Sequence, residues 1–355
     1  MMRSDEILAW LRETDPKQLE QLWQMADEAR RQNVGDEVHL RALVEISNHC
    51  VRLCTYCGLR AANANVERYR MTEDEILECA HQAVALGLGT IVLQSGEDPH
   101  NTRHSVYELV RRIKAETPLA VTLSLGERLP EEFAMWRRAG ADRYLLKFET
   151  SNRRLYRLIH PSRQAAAHDR LALLRVLRRL GFEMGAGVMI GIPGQSYDDL
   201  VRDVGLFHAL DLDMIGVGPY VPHPATPLAQ GLPGFPLAKD QQVPNSDLMT
   251  HKVIALTRLM CPRTNIPATT ALATAAGEEG HRLALMRGAN VIMPNFTPER
   301  FRRLYEIYPG KHDVTETPEA CVDRLHTQLE SIGRRLGKGC GVSPNYDLRH
   351  KTPGR

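Results

Sequence analysis

From Arg41 onward, short apolar runs alternate regularly with amphipathic stretches, and this alternation limits the chain to few folds. The runs with the composition of buried strands cover residues 42–46, 90–94, 120–125, 143–148, 184–190, 214–217, 265–268 and 290–293. The stretches with helical periodicity cover residues 72–86, 105–115, 130–139, 169–180, 196–209, 248–259 and 278–287. Eight predicted strands that alternate with helical stretches within about 250 residues predict an α/β fold of the (β/α)8 TIM-barrel type. A doubly wound open sheet is the alternative, but the Gly-rich dinucleotide loop typical of that fold does not follow the first strand.

Local signals indicate where these elements begin and end. Thr72 and Glu75 have the spacing of a capping box at the start of a helix. Several helices end in a glycine just before the next strand, as left-handed helix stops do: Gly87, Gly140, Gly181 and Gly288. Leucines at helical spacing, interrupted at Pro16, predict an N-terminal helical extension. We therefore expect this extension at residues 1–38, the barrel at residues 39–300, and a C-terminal closing segment with a basic tail at residues 301–355.

The composition is that of a soluble globular protein. Of the 355 residues, 43% are hydrophobic and 25% are charged, and the net charge is +2, so nothing demands nucleic acid or an anionic membrane as a partner. No apolar run reaches about 18 residues, and no signal peptide follows Met1. Seven cysteines, an odd number with three crowded together, argue against a disulfide framework and predict a reducing, cytoplasmic location.

Three of the cysteines lie in one short loop directly after the first predicted strand, with the spacing Cys50-x3-Cys54-x2-Cys57. In a TIM barrel this loop belongs to the carboxyl ends of the strands, where active sites lie. Three thiolates are one fewer than a closed zinc site or an ordinary four-iron cluster needs. A cluster with one iron open to a substrate is the favoured interpretation. A structural zinc site with a remote fourth ligand and three unlinked thiols are the alternatives.

With Tyr56 before its last cysteine, the loop resembles that of the radical S-adenosylmethionine (SAM) superfamily. The resemblance implies one [4Fe-4S] cluster on Cys50, Cys54 and Cys57, with SAM bound to the open iron. It further implies that an electron from an external low-potential donor cleaves SAM to a 5′-deoxyadenosyl radical. A barrel that excludes water suits such a radical.

Residues at other strand ends match further parts of the superfamily pattern. The segment Gln94-Ser95-Gly96-Glu97 resembles the family's Gly-Gly-Glu segment, with Ser95 in place of the first glycine, although a tight turn with a capping acid is the simpler alternative. The resemblance assigns SAM binding to Tyr56, Gln94, Ser95, Gly96, Glu97, Thr122, Lys147, Glu149, Arg170 and Met189. Taken alone, Arg170 reads as a surface arginine of a helix and Met189 as a core methionine.

Beyond the resemblance to the superfamily, segments between about Val44 and Lys311 resemble one family within it, the HydE-type maturases of [FeFe]-hydrogenase. Among them are residues 68–72, 93–99, 122–127, 140–146, 216–219, 266–270, 288–295 and 305–311. The resemblance implies assembly of the hydrogenase diiron subcluster from a small organometallic iron substrate, with hydrogenase maturation scaffold proteins as partners. It implies a cavity lined by Arg143, Thr269, Thr270, Tyr305 and Tyr308. The alternative is a relative similar to methylornithine synthase or biotin synthase, acting on a small amino-acid-like or sulfur-containing substrate.

The chain departs from the HydE-type pattern at two places. Some members carry a second cysteine cluster near the C-terminus, where this chain offers only Cys321, with Asp313 and Arg324 at the positions of further cysteines. We therefore predict one cluster. Lys147 and Phe148 replace the Arg-His pair often found before the strand-end glutamate, so contacts to ribose or substrate are expected to differ, because lysine lacks the planar fork of arginine.

Overall fold

The computed structural model of the chain describes residues 2–161, 169–232, 235–311 and 315–350. The strands are β1 (Glu37–Leu40), β2 (Ala42–Ser47), β3 (Thr90–Ser95), β4 (Ala120–Ser124), β5 (Arg143–Leu145), β6 (Glu183–Ile190), β7 (Met214–Pro219), β8 (Pro267–Ala268), β9 (Val291–Ile292) and β10 (Arg335–Leu336). The helices are α1 (Ser4–Arg12), α2 (Pro16–Val34), α3 (Glu73–Ala85), α4 (Arg103–Glu116), α5 (Pro130–Ala139), α6 (Arg153–Ile159), α7 (Arg170–Arg179), α8 (Tyr197–Ala209), α9 (Asp247–Met260), α10 (Thr270–Met286), α11 (Glu299–Arg302), α12 (Pro318–Ser331) and α13 (Pro344–His350).

The strands form one parallel sheet in the order β10-β1-β9-β8-β7-β6-β5-β4-β3-β2, and this sheet closes through its first strand. Only Arg41 separates β1, which pairs with β9, from β2, which pairs with β3. The amide of Leu43 donates to Pro294 O (2.9 Å), and the amide of Phe296 donates to Leu43 O (2.7 Å), so β2 also bonds to the chain after β9. With β1 and β2 counted as one strand, the barrel has eight parallel strands, and the predicted TIM-barrel fold is confirmed.

The outer helices form where apolar residues recur three and four positions apart. The buried face of α4 consists of Val106, Leu109, Val110 and Ile113, which is the spacing of one helix face. At the start of α3, the Thr72 hydroxyl accepts from the amide of Glu75, and the Glu75 carboxylate accepts from the amide of Thr72. The predicted capping box is confirmed, and the four glycines predicted to stop helices all have positive φ angles.

The N-terminal helices extend the core of the barrel. α1 lies against α8 and α9, and α2 lies against α9. The buried side chains of α2 include Leu22 and Ala26, and they belong to the same apolar core as the barrel. Lys252 Nζ of α9 donates to Leu11 O (3.0 Å), which ties the extension to the barrel at the end of α1.

The C-terminal segment covers the amino ends of the strands. β10 pairs with β1. The carbonyl of Cys340 accepts a hydrogen bond from Arg143 (2.8 Å), and that of Gly341 accepts one from Arg41 (3.0 Å). Because this end of the barrel is filled, the carboxyl ends of the strands are the face at which a site can form.

Some elements differ from the sequence prediction. β1 and α6 are not predicted, because four and seven residues are too few to show a period. α10 begins at Thr270 instead of residue 278 and bends at Gly277, whose φ is 65°. A long loop connects β7 to α9. Among the described residues, no helix combines the length and hydropathy that a membrane span requires.

Candidate active site

The three cysteines of the predicted cluster lie in the loop that directly follows β2, at the carboxyl ends of the strands. Cys54 is buried, Cys50 and Cys57 are partly exposed, and none of the three forms a disulfide. The amide of Val51 bonds to the chain after β3, and that of Thr55 bonds to the end of α6, both at 3.0 Å. The loop that carries the thiols is therefore held by the backbone on two sides.

Gly96 lies so close to this loop that no side chain fits. A Cβ atom at this position would stand 2.2 Å from His49 O and 2.7 Å from Cys50 Cβ. The Ser95 hydroxyl donates to Gly96 O (2.6 Å). The segment predicted to bind SAM through Gln94 to Glu97 is thus packed directly on the cysteine loop.

Burial favours the protonated form of the thiols. It raises the pKa of Cys54 to about 12, although the nearby Arg170 guanidinium lowers that pKa. Burial also raises the pKa of Cys57, and the charges of Cys54 and Cys50 raise it further. Three neighbouring thiolates need positive charge beside them, and iron supplies it when a cluster binds. The donor set therefore fits a cluster with three thiolate ligands.

Glu127 is the centre of a buried charge network beside the cysteine loop, and no local sequence pattern predicts this role. Its Oε1 accepts from Arg170 Nε (2.8 Å), Arg52 Nη2 (3.1 Å) and the Tyr156 hydroxyl (3.3 Å). The side chain of Glu127 is 2% exposed and that of Arg170 is 9% exposed. Glu97 adds a second carboxylate, 3.6 Å from Arg52. Two guanidinium groups and two carboxylates thus balance each other next to the thiols.

Glu149 has an unusual backbone conformation after the fourth barrel strand. Its φ of 62° lies in the left-handed region, which costs an ordinary residue about 1–2 kcal/mol, and such strain collects at functional sites. Lys147 Nζ lies 3.0 Å from Glu149 Oε2. The ammonium and the carboxylate are close but not aligned for a hydrogen bond. Among the described residues, Glu149 Oε2 therefore has no hydrogen-bond donor. Glu149 therefore offers a buried acceptor to a ligand.

Among the described residues, Thr122 Oγ1, in the middle of β4, and Glu127 Oε2 are further buried oxygens without a hydrogen-bond donor. Buried polar atoms are normally satisfied, so each of these oxygens can take a donor from a ligand. The ammonium and ribose hydroxyl groups of SAM are donors, and its carboxylate suits a guanidinium such as that of Arg170. The residues present therefore fit SAM.

An apolar cluster lies beside the cysteine loop and includes Met189. Its buried members are Leu155, Ile159, Met189, Ile192, Tyr220 and Leu228, and Tyr56 packs against them. The Tyr56 hydroxyl lies 3.1 Å from His160 Nε2. Met189 and Tyr56, both predicted to bind SAM, thus share a surface on which a flat nucleoside base can pack.

A second group of polar residues joins β2 and β3 to the segment after α11. Gln94 Nε2 lies 3.4 Å from the Tyr305 hydroxyl. The Lys311 ammonium pairs with Glu45 of β2 and lies 5.1 Å from the centre of the Tyr305 ring. Burial, and then the charge of Glu45, raise the pKa of Tyr308. The structure thus brings together Gln94, Tyr305 and Tyr308, which were predicted from different segments.

The ion pair of Glu45 and Lys311 is absent from the sequence prediction. The side chains are 1% and 7% exposed, and Asn295 Nδ2 donates to the second oxygen of Glu45 (3.0 Å). The sequence does carry a signal, because a carboxylate within an apolar strand is costly to bury without a partner. This pair fastens the segment with Tyr305 and Tyr308 to the barrel wall.

Thr269 and Thr270 also lie at the carboxyl ends of the strands, directly after β8. The Thr269 hydroxyl donates to Val217 O (3.1 Å), and Thr270 is the first residue of α10. The Thr269 hydroxyl therefore has a partner on the neighbouring strand β7. A role of either threonine in binding substrate stays a prediction.

Arg143 does not lie with the other predicted cavity residues. It is the first residue of β5 and so lies at the amino ends of the strands, where its guanidinium pairs with Glu183 and bonds to Thr90 Oγ1 (3.0 Å). The C-terminal segment covers it through the carbonyl of Cys340. The prediction that Arg143 lines the cavity is therefore corrected, because its strand position directs the side chain into the closed end of the barrel.

The C-terminal region does not decide the number of clusters. Cys321 is buried on α12, where Arg324 Nη2 lies 3.7 Å from its sulfur and also bonds to Glu316 (2.8 Å). Asp313 lies outside the described residues. Across the described part of the chain, no three His, Cys, Asp or Glu side chains converge on a single metal ion. An iron–sulfur cluster does not need such convergence, because each thiolate binds its own iron. A single cluster stays a prediction.

Comparison with known proteins agrees with this site. The radical SAM superfamily model matches residues 44–207. The [FeFe] hydrogenase maturase subunit HydE of Thermotoga maritima is 48% identical over 322 residues, which are 91% of this chain and 88% of that protein. The chain belongs to the HydE-type family of radical SAM proteins. A [4Fe-4S] cluster and SAM are therefore its cofactors, and the resemblance stated from the sequence is confirmed.

More distant relatives share the barrel. The 3-methylornithine synthase of Methanosarcina acetivorans is 27% identical and covers 99% of this HydE-type chain and 93% of its own length. A crystal structure of methylornithine synthase superposes with a TM-score of 0.79 at 24% identity, over 98% of this chain and 96% of that one. This likeness shows a common fold.

Proposed function

We propose that this chain is a HydE-type maturase, which cleaves SAM reductively and acts in assembly of the diiron subcluster of [FeFe]-hydrogenase. The observation that carries the proposal is the loop of three thiols at the carboxyl ends of the strands. The 48% identity to HydE of Thermotoga maritima supports the choice among radical SAM functions.

The residues around the loop would divide the binding of cluster and SAM between them. Cys50, Cys54 and Cys57 would hold three irons and leave the fourth to the amino and carboxylate groups of SAM. When bound, the cluster supplies the electron that breaks a carbon–sulfur bond of SAM and so produces a 5′-deoxyadenosyl radical. Arg170, oriented by Glu127, would pair with the SAM carboxylate.

The remaining contacts to SAM would come from the orphaned acceptors and the apolar cluster. Glu149 and Thr122 would accept from hydroxyl or ammonium groups of SAM, because both carry a buried oxygen without a donor. Met189 and Tyr56 would pack against the nucleoside. Such packing excludes water from the reacting atoms.

The substrate would be a small organometallic iron complex bound further inside the barrel mouth. The side chains available to it are Gln94, Thr269, Thr270, Tyr305 and Tyr308. Lys147 would attract an anionic ligand of the complex as a single point charge, in place of the bidentate arginine of relatives. The product would pass to a scaffold protein of hydrogenase maturation.

Anaerobic reconstitution with iron and sulfide tests the first half of this proposal. With SAM and dithionite the protein should release 5′-deoxyadenosine, and Cys54→Ala should abolish both the iron–sulfur absorbance and the cleavage. Release of 5′-deoxyadenosine by the Cys54→Ala variant would contradict the assignment of the loop.

A hydrogenase maturation system that lacks its own HydE-type protein tests the second half. Restored hydrogenase activity on adding this chain supports the maturase. The second candidate is a methylornithine synthase-like enzyme, favoured by the 27% identity that extends over 99% of the chain. Turnover of an amino-acid substrate without restored hydrogenase would favour that candidate.

A further inference from the structure

The chain makes a tight turn shortly after β5, and Glu149 lies at its centre. The amide of Thr150 donates to Phe148 O (2.7 Å), so the hydrogen-bonded ring encloses Glu149 alone, and the φ of Glu149 is 62°. A three-residue turn whose central φ is positive is the rare and strained form. Such a conformation persists only where the surrounding structure fixes it, so the contacts on both sides of this turn decide whether it forms.

Backbone bonds to β6 hold Glu149 itself. The amide of Glu149 donates to Gly187 O (3.0 Å), and the amide of Met189 donates to Glu149 O (3.1 Å). These two bonds keep the residue against the barrel wall. They leave the course of the chain after Thr150 to other contacts.

Two buried carboxylates of α8 hold the chain after the turn. Asp203 Oδ1 accepts from the amide of Ser151 (2.6 Å). One helical turn away, Asp199 Oδ1 accepts from Asn152 Nδ2 (3.0 Å), and both aspartates are buried. Asp199 also closes the capping box of α8 with Ser196. Asp203 is therefore the contact that can be removed without uncapping the helix.

We propose that Asp203 is a positioning residue of the SAM site, because it holds the strained turn that places the Glu149 carboxylate. The inference rests on the proposed function, in which that carboxylate accepts a hydrogen bond from SAM. Glu149 Oε2 is buried and has no hydrogen-bond donor among the described residues, so its use to a ligand depends on its position. Asp203 keeps this acceptor in place before SAM arrives, which spares the ligand the cost of ordering it.

The strain of the turn sets the expected size of the effect. Without Asp203 the amide of Ser151 loses its acceptor, and a residue in the left-handed region favours a relaxed conformation by a factor of about ten. The competent turn is then populated about one-tenth of the time. The apparent dissociation constant of SAM rises by the inverse of that fraction, about tenfold.

Three variants separate this role from a general loss of packing. Asp203→Ala removes the acceptor. Asp203→Asn keeps it, because burial raises the pKa of Asp203 to about 7, and the neutral carboxyl present at about pH 6 has nearly the shape of an amide. Val204→Ala is the matched control. Val204 is the next residue of α8 and belongs to the apolar core, so its truncation weakens the core but removes no hydrogen bond of the turn.

Equilibrium dialysis of SAM against the reconstituted, anaerobic protein at about pH 6 gives the first result. Asp203→Ala should bind SAM about tenfold more weakly than wild type, whereas Asp203→Asn and Val204→Ala should match wild type. In the Glu149→Ala background, Asp203→Ala should have no further effect, because the acceptor that it positions is gone. Equal weakening by Asp203→Asn or Val204→Ala, or a further loss in that background, would overturn the proposal.

Iron content of the same samples shows whether Asp203 acts through the cysteine loop instead. α6 begins just after the turn, and its end bonds to the amide of Thr55. The iron per chain should be the same in wild type and in all variants. Loss of iron in Asp203→Ala alone would assign Asp203 to the cysteine loop and overturn its role at Glu149.

Amide hydrogen exchange of the protein without cluster gives a result that needs no SAM. Exchange of the Ser151 amide should be at least about tenfold faster in Asp203→Ala than in wild type, and Asp203→Asn should restore the slow exchange. Unchanged exchange in Asp203→Ala would contradict the proposal. If wild type itself binds no SAM, the proposed function fails, and the exchange at Ser151 still decides whether Asp203 holds the turn.

Discussion

Replacing Glu127 with alanine should destabilise the protein and loosen Arg170. The Glu127 carboxylate accepts three hydrogen bonds, two of them from the guanidinium groups of Arg170 and Arg52. Removing one partner of a buried ion pair costs about 3–5 kcal/mol. Arg52 keeps a second carboxylate, because Glu97 lies 3.6 Å from it. Arg170 is therefore the guanidinium that mainly loses its ion-pair partner. We therefore expect the free energy of unfolding to fall by about 3 kcal/mol.

Guanidinium-induced unfolding of the reduced protein without cluster measures this loss. Glu131→Ala is the control, since Glu131 is an exposed carboxylate in the first turn of α5 and should change the free energy by less than about 0.5 kcal/mol. A double-mutant cycle of Glu127→Ala with Arg170→Met should show a coupling of about 1–3 kcal/mol. If Glu127→Ala lowered the free energy of unfolding no more than the control does, the reasoning that Glu127 holds Arg170 would be refuted. A double-mutant cycle without coupling would refute it as well.

Three further predictions concern the backbone and the buried charges. Gly96→Ala, whose Cβ would stand 2.2 Å from His49 O, should prevent assembly of the cluster, measured as iron per chain, whereas Gly205→Ala, with open space around its Cβ, should leave the iron content unchanged. Glu149→Gly should relieve the strain of its φ of 62° and raise the free energy of unfolding by about 1 kcal/mol, while SAM binding weakens in equilibrium dialysis; unchanged SAM affinity would count against its role. Burial raises the pKa of Asp203 to about 7, so its stabilising protonated form is complete at acid pH and is lost as the pH rises through 7. The stability of wild type relative to Asp203→Asn should then fall by about 2 kcal/mol between pH 5 and 6.5, where the unfolded carboxyl is already ionised and the folded one is still mostly protonated, and a constant difference would show that Asp203 does not titrate there.

Features that depend only on residues close together in the sequence could be predicted without the structure. The eight strands, the capping box at Thr72 and the cysteine loop each depend on neighbours within a few residues, and these features were found where the sequence predicts them. Gly96 was predicted to bind SAM; the structure packs it against Cys50, and its contact with SAM stays a prediction.

Residues that act through distant partners could not be assigned in the same way. Arg143 was predicted to bind substrate, but its side chain faces the closed end of the barrel, because the strand begins at this residue. Glu45 and Lys311 form a buried pair although 266 residues separate them. Such pairing depends on strand register and on the path of the C-terminal segment, which no local pattern contains.

The sequence by itself determined the barrel and the three-thiol loop at its mouth, because hydrophobic period and ligand spacing are properties of short stretches of chain. It also carried the family, through segments spread over most of the length. The tertiary structure alone decided which charges surround the thiols. Glu127, Arg52 and Arg170 meet, because the closed barrel brings the loops of different strands to one face.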